Sequence, residues 1–400
     1  MIKIHKKNKK TYIYLSSVIF VIGVFILGIN IGNGNIAIVK KPTISSNLPQ
    51  NLDYSSVNQL YKLIKENYDG SLKNQQVLDG LKTGLAQSTN DPYTEYFSAN
   101  QAKILNSEIS GTFSGIGAQM GKNSQGQLIV VSPITGFPAY NSGVKAGDII
   151  TSINGKSTAN LNVDEAVNII RGPQGSFVKL DVIRGSSQLS FKIKRDTISL
   201  PSVNSKILTG NIGYMQITQF TDDTGSLALK AADQFRRSNV KGIILDLRGN
   251  PGGLVDQAVE VCNLWLKTGQ LILTEKSGET VLQTYNATQS SKTLNGIPTV
   301  VLIDSGSASA SEITAGALHD NNVASTLGVK SFGKGVVQQI FNLTGGAEAK
   351  ITIAKWYRPN GANINKIGIT PDKNVPLSDA DISNKVDAQL NAALGVLTQN

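Results

Sequence analysis

The 400-residue chain has one cysteine and two histidines. Cys262 alone can close no intramolecular disulfide and build no thiolate zinc site. It lies among Val259, Leu264 and Leu266 at helical spacing, the setting of a buried apolar filler. Charge is also scarce, at 16% of residues against 40% hydrophobic, with mean hydropathy −0.07, which excludes wholesale disorder. Thirty-eight Lys and Arg against 28 Asp and Glu give +10, but five of those charges are Lys3, Lys6, Lys7, Lys9 and Lys10. No basic stripe interleaved with aromatics follows, so the charge does not describe a nucleic-acid surface. The length excludes a single small module and points to two or three folded units.

After the basic tail (1–11), Ile13 to Ile29 is an apolar run that at about 1.5 Å per residue nearly matches a hydrocarbon core of about 30 Å. The expectation is one transmembrane helix over 12–31, an uncleaved anchor rather than a cleaved signal peptide, with the lysines cytoplasmic and the body outside a bacterial cell membrane. Residues 32–53, rich in Gly, Asn, Pro and Ser, read as a linker. Val57, Leu60, Tyr61, Ile64 and then Val77, Leu81, Leu85 recur at helical spacing, so 54–110 reads as a small helical segment that suggests a homodimer. Alternating runs such as QLIVVSPI and FVKLDVI, with one helix at Val163 to Ile170, make 111–195 a mostly β module. From 196 to 400, strands such as VKGIILDL and TVVLID alternate with helices at about 224–237, 255–267 and 308–320. They predict an α/β core with a partly parallel sheet, closed by a helix around Asp379 to Leu397.

TVVLIDSGSASASEITAGAL places a small-residue turn between an apolar strand and a helix. Ser309-x-x-Glu312 is a capping-box match, sufficient by itself to explain the pattern. The alternative is a nucleophilic Ser309 whose oxyanion is held at the helix N-terminus. A nucleophilic serine requires a base. His319, ten positions along the same helix, is about 15 Å away along the axis and out of reach. The remaining candidate is Lys334, between Gly333 and Gly335 at the start of a strand on which Gln338 shares its face. Lysine acts as a base only when burial depresses its pKa. Gly328 to Lys334 also spells G-x-x-x-x-G-K, but Gly335 stands where a phosphate loop needs Ser or Thr, and a strand pattern follows. LDLRGNPGG ends another apolar strand. There the Gly252 N–H, with that of Ala310, is either an oxyanion donor or part of a plain tight turn, and Arg248 reads as an ion-pair residue.

GSASASE, FGKGVVQ and LDLRGNPGG together resemble the carboxyl-terminal processing, or tail-specific, proteases, a Ser-Lys peptidase family. The resemblance extends from Asp91-Pro92-Tyr93 through GIGAQM, VKAGDIITSINGK and IIRGPQGS to GITPD. It implies Ser309 as nucleophile, 25 residues before the base Lys334, with Gln338 orienting the lysine. It implies that the β module is a PDZ domain. Ser114-Gly115-Ile116-Gly117 would be its carboxylate-binding loop, the next strand would pair with an extended peptide, and Val167 would line the groove. Arg171 reads first as a cation at a helix C-terminus and second as a gate. The expectation is a membrane-anchored serine endopeptidase acting on the C-terminal tails of proteins, with no cofactor and no metal. The rival is a non-enzymatic PDZ scaffold on a degenerate protease fold.

Overall fold

The computed structural model describes residues 53–288 and 294–398. The basic tail, the span expected over 12–31 and the linker up to residue 52 lie outside them. Among the described residues no helix is long and apolar enough to cross a membrane. The expected fold class is corrected accordingly: the described architecture is one of mixed sheets and a β module, without a transmembrane helix. The chain divides into two compact units, one up to Leu72 and one from Lys73 onward. In the first, helix Ser55–Asn67 buries none of its residues and exposes Val57, Leu60 and Ile64.

Within the second unit, the β module is an antiparallel sheet in the order Ala118–Lys122, Leu128–Pro133, Ile149–Ile153, Phe177–Arg184, Ser187–Lys194. Its alternating sequence places Val178, Leu180 and Val182 inward with Val130, Ile150 and Ile153. Ala118–Lys122 is an edge strand, and helix Val163–Ile170 packs beside it. A two-stranded ribbon, Thr112–Gly115 against Asp196–Ser199, leads into and out of the module. Next to that ribbon Arg195, 7% exposed, donates to the carbonyls of Ile169 and Ile170 and so closes the helix C-terminus.

The main body holds two sheets. One runs Val203–Leu208, Ile212–Ile217, Gly242–Asp246, Thr299–Ile303, Ser325–Gly328, Lys373–Asn374, antiparallel at the first pair and parallel thereafter. Every residue of Gly242–Asp246 and Thr299–Ile303 is buried, because both faces are covered. Helices Thr224–Arg237, Val255–Cys262 and Ala310–Asp320 contribute to one apolar core, and Ala388–Thr398 to another. Cys262 is in the first core, where burial pushes its thiol up to about 12. In the second sheet Glu348–Tyr357 pairs with Glu95–Phe97, Val336–Asn342 and Leu271–Ser277, and Thr280–Asn286 extends it.

Four local expectations change. The segment expected to be helical from 54 to 110 gives up Glu95–Phe97 to the second sheet. The helix expected over 255–267 ends at Cys262. The helix expected from Asp379 to Leu397 is two, Asp379–Ser383 and Ala388–Thr398, broken where Lys385 adopts φ 54°. Lys334 lies in the loop ahead of its strand, which begins at Val336. Gly328 closes a strand and another strand follows Lys334, so the segment lacks the loop-to-helix form of a phosphate loop.

Candidate active site

The parallel strands point their C-terminal ends at one place, and the loops leaving them carry the candidate residues. The GSASASE stretch after Thr299–Ile303 holds three serines, Ser307, Ser309 and Ser311, which burial distinguishes. Ser307 is fully buried and donates to Leu247 O at 2.7 Å, and Ser311, also fully buried, donates to Asn250 O at 2.9 Å. Of the three, Ser309 alone lines the cleft, where it precedes helix Ala310–Asp320 with φ 55° and ψ −115°. A left-handed serine costs about 1–3 kcal/mol and persists only where its surroundings fix it. The strand-to-helix turn thus presents its hydroxyl as a nucleophile elbow does.

Glu312 is the main fixture. It is fully buried, and its carboxylate accepts Ser309 N–H at 2.9 Å, Lys334 N–H at 2.9 Å, Gly333 N–H at 2.7 Å and Ser331 Oγ–H at 2.5 Å. Burial pushes its carboxyl above the ordinary value while these four donors pull the other way. Four donors on two oxygens suit the ionised form, which has only lone pairs to offer. The capping-box half of this arrangement is legible in the sequence. The other half, in which the same carboxylate gathers the Lys334 loop, is not.

Lys334 lines the same cleft, of about 290 Å³, with Leu105, Ile109, Gln219, Gly252 and Trp356. Burial, then the nearby Lys350 ammonium, lowers its pKa from the ordinary lysine value, against the pull of Glu95, Asp91 and Glu312. Its ammonium lies 5.0 Å from the centroid of the Tyr93 ring and makes no hydrogen bond among the described residues. Gln338 donates to Thr352 Oγ1 at 3.3 Å, next to a bulge in the strand pairing, and not to Lys334. Gly333, at φ 91°, has no room for a Cβ, which would come within 2.7 Å of Gly368 N.

Gly252 is pressed against the serine, since a Cβ there would fall 2.7 Å from Ser309 Cβ and 2.9 Å from Ala310 N. Its own N–H, however, donates to Asn250 Oδ1 at 2.9 Å. In this arrangement the expected oxyanion donor is already engaged, and Ala310 N–H is the one with no acceptor among the described residues. Asn250, fully buried, is a residue that sequence reasoning missed. Its Nδ2 donates to Ile217 O at 2.7 Å, and its carbonyl accepts Ala308 N–H at 3.0 Å. Its place between strand end and glycines was the available signal.

Two other residues fall where expected, away from the chemistry. Arg248 pairs with Asp246 at 2.6 Å and Asp387 at 2.8 Å. His319 lies near the far end of its helix, between Asp320 and Asp372 at 3.0 Å each, with Arg358 beside it. Asp372, of the GITPD segment, also takes Thr326 N–H at 2.8 Å, so that motif secures a strand.

In the β module the expected carboxylate loop is distributed differently. Ser114 and Gly115 belong to the ribbon, opposite Thr197 and Asp196, and Ile116 is a core residue at 2% exposure, whose carbonyl accepts Ala139 N–H. Ile116 therefore packs inward and does not line a groove. Gly117 stands at φ 68° ahead of the edge strand, and Val167 is half-buried on the neighbouring helix. Arg171 caps that helix, reaches Glu108 at 3.4 Å and lies 5.1 Å from the Phe113 centroid.

A serine at a strained strand-to-helix turn, a half-buried lysine in the same cleft and an attached β module with a six-stranded sheet define a serine peptidase with a PDZ domain. The chain belongs to peptidase family S41: the family model matches residues 211–375, and that of the PDZ domain matches 129–184. The carboxy-terminal processing protease CtpA of Bacillus subtilis is 40% identical over 327 residues, which cover 82% of this chain and 70% of that protein. A protein of Staphylococcus epidermidis described as a CtpA-like serine protease is 34% identical over 355 residues, 88% of this chain and 72% of its own. The solved photosystem II D1 C-terminal processing protease has a similar fold, with TM-score 0.51 and 24% identity over 81% of this chain and 87% of its own.

Proposed function

We propose that the chain cleaves protein substrates near their C-terminal tails by a Ser-Lys acyl-enzyme mechanism. The observation that carries this reading is that Ser309, alone of the three serines of GSASASE, opens into the cleft that Lys334 also lines. The neutral Lys334 amine takes the Ser309 hydroxyl proton as Oγ bonds to the scissile carbonyl carbon. As the C–N bond breaks, the ammonium returns that proton to the leaving amine. A water deprotonated by Lys334 then attacks the ester, and Ser309 regains its proton. Ala310 N–H, at the positive end of its helix, faces the developing oxyanion. Gln338 orients the lysine once it has left Thr352.

Tail recognition is supported by the free edge of Ala118–Lys122 with Val163–Ile170 beside it, a geometry suited to strand addition. Arg171 joins that helix to Glu108, whose helix Ala99–Ile109 supplies Leu105 and Ile109 to the cleft. Tail binding that shifts Val163–Ile170 therefore acts on a wall of the cleft, to the extent that the tail prefers one arrangement over the other. The test compares one substrate with a free or an amidated C-terminus, in the wild type, Ser309→Ala and Arg171→Ala. Turnover of the free-tail substrate that persists in Ser309→Ala would overturn the nucleophile. Equal rates for the two termini would remove tail recognition.

A further inference from the structure

The Tyr93 ring that faces the Lys334 ammonium is held from its backbone. Tyr93 N–H donates to Asp91 Oδ1 at 3.2 Å and Thr94 Oγ1–H to Asp91 Oδ2 at 2.7 Å, while Thr94 Oγ1 accepts Thr352 N–H at 3.2 Å. The following residues, Glu95 to Phe97, enter the second sheet opposite Lys350 to Glu348. The charged groups around Lys334 are Lys350, Glu95, Asp91 and Glu312. Glu95 is paired with Lys350, Glu312 is occupied by four donors, and Asp91 accepts from its own turn. With every nearby carboxylate engaged elsewhere, the ammonium is left to the ring face.

We propose that Tyr93 is a positioning residue that holds the Lys334 side chain as an ammonium on its ring in the resting enzyme, away from Ser309 and Gln338. The inference rests on the reading of Lys334 as the base. A ring face attracts a cation and has no such attraction for a neutral amine. Tyr93 therefore stabilises the form of Lys334 that cannot act, and departure from the ring favours loss of the proton.

The test replaces the ring face while keeping apolar bulk. Lys334 ionisation is followed in the full chain carrying Ser309→Ala, by the pH dependence of its acetylation with acetic anhydride, read by mass spectrometry. Tyr93→Phe should keep the wild-type midpoint. Tyr93→Leu should move it to lower pH by about half a unit to one and a half units. With Ser309 restored, the rising limb of kcat/KM should move by the same amount. Tyr93→Met, judged by the same midpoint, serves if the leucine variant melts early. Equal midpoints for Phe and Leu, or an alkaline shift in Leu, would overturn the proposal. If Lys334 is not the base, Lys334→Ala keeps turnover and the rate profile ignores the labelling midpoint, while that midpoint still reports on Tyr93.

Discussion

The amides of Ser309 and Lys334, 25 positions apart in sequence, donate to the same atom, Glu312 Oε2, each at 2.9 Å. One carboxylate thereby sets the backbone of nucleophile and base together. Glu312→Gln keeps the shape but turns an NH₂ group toward N–H donors, so at least one is left unpaired. We expect a loss of about 1–3 kcal/mol in stability and at least about tenfold in kcat, with KM little changed. Chemical denaturation and steady-state kinetics check both. A full-speed Glu312→Gln enzyme would show that the shared oxygen is dispensable.

The three serines of GSASASE should separate cleanly. Ser309→Ala should abolish turnover and leave folding intact. Ser307→Ala and Ser311→Ala each remove a buried donor to a carbonyl, and should lose about 1–3 kcal/mol of stability while retaining chemistry. Thermal melts alongside burst kinetics of acyl-enzyme formation would distinguish the two behaviours.

Lys334 sits below the ordinary lysine value because burial disfavours its charged form. The kcat/KM profile should therefore rise as pH climbs through that depressed value and level off below the range of a solvated lysine. His319→Asn should leave the rising limb where it is. A limb that moves with His319 would assign the titration to the wrong residue.

His319 itself should appear in stability. Burial lowers its pKa, but Asp320 and Asp372 more than offset this, so the folded value lies above 6.5. A raised folded value stabilises the protein fully below the unfolded pKa, and the contribution is lost as pH rises through the folded one. His319→Asn should thus melt below the wild type in mild acid and approach it in alkali, in melts run across that range.

The homodimer expected from the sequence would use the apolar residues that helix Ser55–Asn67 leaves exposed. Leu60→Lys together with Ile64→Lys should lower the mass seen by sedimentation equilibrium. An unchanged mass would place any self-association elsewhere.

Much of this was legible because strand-to-helix turns carry local signatures. GSASASE and FGKG point to Ser309 and Lys334, and the apolar runs Ile243–Leu245 and Val300–Ile303 are those of strands buried on both faces. What stayed hidden depends mostly on side-chain geometry or on partners distant in sequence. Gly252 reads as a free amide until the side chain of Asn250, two residues before it, folds back on it. Ile116 reads as part of a carboxylate-binding loop until its side chain packs into the core and its own carbonyl accepts Ala139 N–H. Tyr93 lies 241 positions before Lys334, and nothing in its neighbourhood announces a cation. The break at Lys385 had no glycine or proline to mark it.

Asn250 ties Ile217 to Asn250's own turn and to Ala308 and Ser311, across sequence separations of 33 and 61 for its side-chain and Ser311 contacts. The elbow that strains Ser309 is thus assembled from the ends of three strands, and its local capping box with Glu312 supplies only part of what holds it. Contacts of that range close late, after the loops between them have been ordered. A chain still emerging or only partly folded would carry the serine in a relaxed turn, so the peptidase is armed only when its central sheet is complete.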